Sequence, residues 1–192
     1  MRLVLLGAPG SGKGTQATRL REHLQVPHIS TGELLRAAVN AGTPLGMQAK
    51  VVMESGSLVS DEIVLGMLEE RLLQPDTRGG FILDGYPRNL AQARALDELL
   101  ARIKQPADIA VQLDVDPELL VGRLSGRAHV EGRADDSPES VRNRLAVYGQ
   151  QTAPVVDFYR NQAKLACVQG VGTMDEVFTR IVEAINPNAD VG

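Results

Sequence analysis

The chain has 192 residues, 43% of them hydrophobic, enough to bury one substantial core, and a single domain over 1–192 is expected. Its formal charge of −4 argues against a general nucleic-acid or anionic-membrane surface, and no apolar run approaches membrane-span length; the N-terminal one is broken at Gly7 and Pro9, too short for a secretory leader. The single cysteine, Cys167, excludes a disulfide framework and a cysteine zinc site; lying in an apolar run, it is expected to be a buried, reduced thiol in a cytoplasmic protein.

The first element is the apolar run Leu3–Leu6, followed by Gly7-Ala8-Pro9-Gly10-Ser11-Gly12-Lys13-Gly14-Thr15 and a helical stretch from Gln16 to Leu24. This order is strand, phosphate loop, helix. Glycines let successive backbone N–H groups turn onto an anion, the helix N-terminus adds positive field, and Lys13 supplies a full charge, so a nucleoside triphosphate is expected here. The hydroxyl residue that usually follows the lysine is Gly14, with Thr15 one place later, which leaves direct Mg²⁺ ligation by a loop hydroxyl open.

Further strands are expected at Pro27–Ser30, Phe81–Leu83, Ile109–Leu113 and Leu165–Val168, separated by helical patterns. Continuous apolar strands alternating with helices predict an α/β fold, a doubly wound sheet of five parallel strands. Ligands collect beyond the carboxyl ends of such strands, where Gly7, Ser30-Thr31, Asp84-Gly85 and Asp114 fall.

Two segments break the strand–helix rhythm. In the first, Ser30 to Glu33 forms a capping-box pattern opening a helix through Val39, ended by Asn40-Ala41-Gly42; a second helix fits Pro44 to Glu54, and Ser60 is the expected N-cap of a third. Thr31 and Arg36 are either site groups or ordinary surface residues. The strand Phe81–Leu83 runs into Asp84-Gly85-Tyr86-Pro87-Arg88, which sets a carboxylate near a loop-bound Mg²⁺, directly or through water, and an arginine beside it. Gln92, four residues on, offers a donor and an acceptor to a nucleobase edge or is simply solvated. In the second segment, Arg123 and Arg127 share a helix face, Arg133 follows, and Ser137-Pro138-Glu139 starts a long helix with the apolar stripe Val141, Leu145, Tyr148 and Val155. Arg142 and Arg144 flank that stripe, and periodicity does not choose between them; Pro154 is expected to interrupt the helix.

Gly7 to Thr15, Ser30-Thr31-Gly32, Asp84 to Arg88, Gly126-Arg127, Gly132-Arg133 and Arg142-Asn143-Arg144 together resemble the short adenylate kinases, in order and over nearly the whole length. The resemblance implies a P-loop NTPase-type fold with a nucleoside monophosphate lobe at 30–59 and a short lid at 126–136. It implies that Gly10, Ser11, Gly12, Lys13, Gly14, Thr15, Arg127 and Gly172 hold ATP. It likewise implies that Thr31, Arg36, Ser57, Leu58, Val59, Gly85, Tyr86, Pro87, Arg88 and Gln92 hold AMP, with Arg133 and Arg144 contacting its phosphate. Lys13, Arg88, Arg123, Arg133 and Arg144 are the implied catalytic groups. Asp84 is the implied water-mediated site for the Mg²⁺ that accompanies ATP. Tyr86 stands where phenylalanine is common, and the lid lacks the metal-binding cysteines of longer relatives, so no structural zinc is expected.

The implied reaction is reversible transfer of a phosphoryl group from ATP to AMP, giving two ADP. An ionised AMP phosphate needs no general base, so His23, His28 and His129 need not be catalytic. Lid and lobe would close to exclude water. ATP, AMP and ADP are the expected partners of a monomer that engages neither nucleic acid nor membrane. Other monophosphate kinases share the loop and arginines, although Thr31 and Gln92 are the adenine-type choices; a nucleotide-sensing module without turnover is the reading from another class. A GTPase would need N-K-x-D, which is absent, and the D-x-x-G at Asp76–Gly79 follows Pro75 in a turn rather than a strand.

Overall fold

A computed structural model describes residues 1–55, 57–116, 118–124 and 137–186. Five parallel strands, β1 (Arg2–Gly7), β2 (His28–Ser30), β3 (Phe81–Asp84), β4 (Ile109–Asp114) and β5 (Leu165–Gln169), form one sheet in the order β2-β3-β1-β4-β5. The apolar runs place every strand within a residue or so of its end, because strands covered on both faces are apolar throughout.

Alternation along β1 divides the core. Val4 and Leu6 join Phe81, Leu83, Leu96 and Tyr159 on one face, under α4 (Asp61–Leu72), α5 (Leu90–Arg102) and α8 (Ala153–Asn161). Leu3 and Leu5 join Ile82, Val111, Leu20 and Ile181 on the other, under α1 (Lys13–Leu24) and α9 (Met174–Ile185). Burial of each such leucine or isoleucine stabilises the fold by about 1.5–3 kcal/mol. The register Val4↔Leu83 and Leu5↔Val111 brings the carboxyl ends of β1, β3 and β4 to one edge.

β5 is an outer strand, and this overturns the expected burial of Cys167: on β5 only Val168 is fully buried, and the Cys167 thiol is exposed. An apolar run at a sheet edge need not be covered on both sides.

Between β2 and β3 lie α2 (Thr31–Asn40), α3 (Pro44–Glu54) and α4. Ser30 caps α2 by accepting from the Glu33 N–H at 3.3 Å, but the return bond of a full capping box is made elsewhere, between Thr173 and Glu176 at the start of α9. Ser60 occupies the N-cap of α4 without a side-chain bond; its first turn is served by Asp61 and Glu62. Asp76 and Thr77 of the D-x-x-G match lie in a short 3₁₀ turn, Pro75–Thr77.

After β4, helical residues 118–124 (α6) precede α7 (Pro138–Val147), which Ser137 caps by accepting from the Ser140 N–H. Pro154 lacks the N–H that would continue this helix. The interruption takes the form of a π turn, Tyr148–Thr152, between α7 and α8. Ser140 Oγ and Asn143 Nδ2 donate to the Glu54 and Ser55 carbonyls, so α7 satisfies the open end of α3.

Candidate active site

A cleft of about 700 Å³ opens along the carboxyl edge of the sheet. Gly10 to Thr15, Thr31, Arg36, Ser57 to Val59, Asp84 to Arg88, Gln92, Arg123, Arg144 and Gly172 all line it. Arg127, Arg133 and His129, with the rest of 126–136, lie outside the described residues. The lining includes five cationic side chains (Lys13, Arg36, Arg88, Arg123, Arg144) against two carboxylates (Glu33, Asp84), a balance suited to polyanions.

At the β1–α1 turn the chain must reverse at the edge of the cleft. Gly12, the N-cap of α1, does so at φ 97°, a conformation that L side chains adopt only under strain. No side chain caps α1 and its first turn holds no acid of its own; the Asp84 carboxylate lies beside Gly14, where a Cβ would stand 3.8 Å from Oδ2. Lys13 Nζ donates to the carbonyls of Gly7 at 2.8 Å and Ala8 at 3.0 Å, which holds the ammonium across the loop. Gln16 Nε2 donates to the Met174 carbonyl at 3.1 Å, fixing α1 to the start of α9 beside Gly172.

Asp84 ends β3 and is 9% exposed. Burial pushes its carboxyl up, but the His28 imidazole beside it and the positive charges of Lys13 and Arg88 outweigh this and hold it below the usual carboxylate range. His28 Nε2 stands 3.5 Å from Asp84 Oδ2.

Gly85, at φ 81°, lets the chain turn where a Cβ would stand 3.0 Å from Thr31 Oγ1. Arg88 Nε donates to the Gly85 carbonyl at 2.7 Å, and the Arg88 carbonyl accepts from Thr152 Oγ1 at 2.6 Å. The Arg36 guanidinium folds back over Gly32, where a Cβ would meet Nη1 at 3.2 Å, so it belongs to the cleft rather than to bulk solvent. Tyr86 is 1% exposed, and its phenol is pushed well up, by burial and then by the charge of Asp61.

Gln92 is not solvated: it is 2% exposed, its Oε1 accepts from the Arg88 N–H at 2.7 Å, and its Nε2 donates to Asp61 Oδ1 at 2.7 Å. The Asn89 side chain caps α5 by accepting from the Gln92 N–H at 2.8 Å. Of the two candidate arginines of α7, Arg144 is half-buried on the cleft, whereas Arg142 is exposed and does not line it. Arg123, on α6, donates to the Gly170 carbonyl at 3.3 Å.

Asp61, Asn89 and Thr152 escaped the sequence reading. Asn89 had a signal: Asn89-Leu90-Ala91-Gln92 has cap-and-return spacing. Asp61 and Thr152 reach the Arg88 loop only through the tertiary fold, so no local pattern marks them.

The adenylate kinase family model matches residues 5–164. The chain is 67% identical over 185 residues to an adenylate kinase of Stenotrophomonas maltophilia (strain K279a), covering 96% of this chain and 99% of that one. It is 66% identical to an adenylate kinase of Xanthomonas campestris pv. campestris (strain 8004) and 65% identical to one of Xanthomonas oryzae pv. oryzae (strain MAFF 311018), with the same coverage. Sheet order, cleft and likeness over nearly the full length of both partners agree: the chain belongs to the adenylate kinase family.

Proposed function

We propose that the cleft holds ATP and AMP end to end, and that this phosphotransferase moves the terminal phosphoryl group of ATP to AMP, reversibly, to give two ADP. The observation that carries the arrangement is that one cleft contains both the uncapped start of α1, with Lys13, and the Thr31, Arg36, Arg88 and Gln92 cluster. Gly10 to Thr15 would cradle the ATP phosphates, with Gly172 bordering the same nucleotide. Thr31, Arg36, Ser57 to Val59, Gly85 to Arg88 and Gln92 would take AMP.

An AMP phosphate oxygen bonds to the γ-phosphorus as the bond from that phosphorus to the β–γ bridging oxygen breaks, and ADP leaves. Lys13, Arg88, Arg123 and Arg144 align the two polyanions and neutralise charge on the moving group; Arg127 and Arg133 are assigned alongside them by the family resemblance. No proton needs to be removed by the protein, which suits a cleft in which the Asp84 carboxylate is held ionised. An ionised carboxylate beside the phosphate loop fits a Mg²⁺ carried in with ATP and held through water. When bound, that ion would offset charge on the β- and γ-phosphates. Closure of 30–59 and 126–136 would keep water from the phosphoryl group.

No helix among the described residues is long and apolar enough to cross a membrane. A monomeric, cytoplasmic enzyme of adenine nucleotide metabolism is the reading we favour. ADP formation from Mg-ATP with AMP, UMP, CMP, GMP or no acceptor tests the assignment. Strong turnover with AMP alone, lost on omitting Mg²⁺, is expected; silence with every acceptor would overturn it in favour of a binding module.

A further inference from the structure

The Gln92 amide has two distinguishable ends, and both are committed. An Arg88 N–H can only donate, so the atom facing it at 2.7 Å is Oε1; an Asp61 carboxylate can only accept, so the atom facing it at 2.7 Å is Nε2. The orientation follows from the chemistry of the partners. Each end retains one capacity: a lone pair on Oε1 and an N–H on Nε2. Adenine offers the complement, an N6 donor beside an N1 acceptor, whereas a 6-oxopurine offers an O6 acceptor beside an N1–H donor. Rotating the amide would exchange these preferences.

We infer that Asp61 is a specificity-positioning residue: with the Arg88 backbone N–H, it locks the Gln92 amide in the orientation that pairs with adenine and opposes a 6-oxopurine. This rests on Gln92 facing the base of AMP. An acid in the first turn of α4 is favoured by the helix field in any case, but that role needs no contact with an amide 31 residues away. Asp61 also accepts from Asn89 Nδ2 at 3.3 Å, so the residue that caps α5 and the residue that follows in its first turn converge on one carboxylate oxygen. Loss of Asp61 leaves Arg88 N–H as the sole lock.

The test compares kcat/KM for AMP, IMP and CMP in the wild type, Asp61→Ala, Gln92→Ala and the double variant. IMP differs from AMP only at the edge in question, and CMP presents the same donor–acceptor order as AMP. A site whose hydrogen bonds are mismatched rejects a substrate by about a hundredfold or more, so a wild-type AMP:IMP ratio of at least about 100 is expected. Asp61→Ala should lower that ratio about tenfold while the AMP:CMP ratio holds, and should change neither ratio in the Gln92→Ala background. Collapse of the AMP:IMP ratio in Gln92→Ala with no change in Asp61→Ala would overturn the positioning role alone. An unchanged AMP:IMP ratio in Gln92→Ala would overturn the base-facing reading and the inference with it. Should Asp61→Ala not fold, Asp61→Leu keeps the shape and removes the acceptor: the Gln92 side-chain amide proton bound to the carboxylate should lose its downfield NMR shift, and an unmoved pair would refute the contact.

Discussion

The Gly7–Thr15 loop lines the cleft from a single run of residues, with Lys13 its one charged side chain. The Asp84–Arg88 loop is instead held by side chains from distant places: Asp61 and Gln92 at one end, Thr152 behind the Arg88 carbonyl, His28 against Asp84. The two are neighbours on adjacent strands, β1 and β3. The first is a turn of glycines with one lysine, set by a local pattern; the second fixes one guanidinium and one amide, those of Arg88 and Gln92, with partners from several elements. The geometry of the first loop can therefore be encoded locally, while that of the second is a property of the fold.

That contrast can be tested by its extremes. Lys13→Met removes the one side-chain charge of the loop and is expected to lower kcat about a hundred- to a thousandfold, with the melting temperature nearly unchanged in calorimetry. Arg88→Ala should lose about as much phosphoryl transfer, and an unchanged turnover number would remove it from the mechanism. Thr152→Val keeps side-chain shape but deletes the hydroxyl that meets the Arg88 carbonyl. Loss of one such bond costs about 1 kcal/mol, so a Tm lower by about 2–4 °C and kcat reduced several-fold are expected; an intact kcat would mean the Arg88 loop aims itself.

The smallest effect is that of pH. The Asp84 carboxyl is held below its ordinary value in the folded state, so its contribution is fully present above about pH 4 and is lost as pH falls through the folded-state value. The gap in Tm between wild type and Asp84→Asn should accordingly close on titrating from pH 7 to pH 3. A gap that widens toward acid would mean that burial outweighs the neighbouring charges.

The same division explains what could be read from the sequence. The strands and the phosphate loop were legible because each is a local pattern: an apolar run, or glycines and a lysine at fixed spacing. Arg36 and Arg144 were legible only as members of pairs or alternatives, and the cleft places both. Gln92 was noticed, but its orientation depends on Asp61 and the Arg88 N–H, a relation that spacing does not express. Cys167 was misjudged because apolar neighbours do not reveal that their strand is the last in the sheet.

The π turn at Tyr148–Thr152 carries a constraint of its own. It acts as a phase shifter between two helices that answer to different partners: α7 presents Arg144 to the cleft and Ser140 to α3, while α8 commits Val155 and Tyr159 to the core. Deleting one residue among Gly149 to Gln151 would remove the extra residue of the π turn and rotate everything upstream by about 100° relative to α8. The deletion would leave composition, charge and core residues almost untouched, yet Arg144 and Ser140 would face the wrong way. Here the length of the segment, and not only its residue types, sets which way Arg144 and Ser140 face.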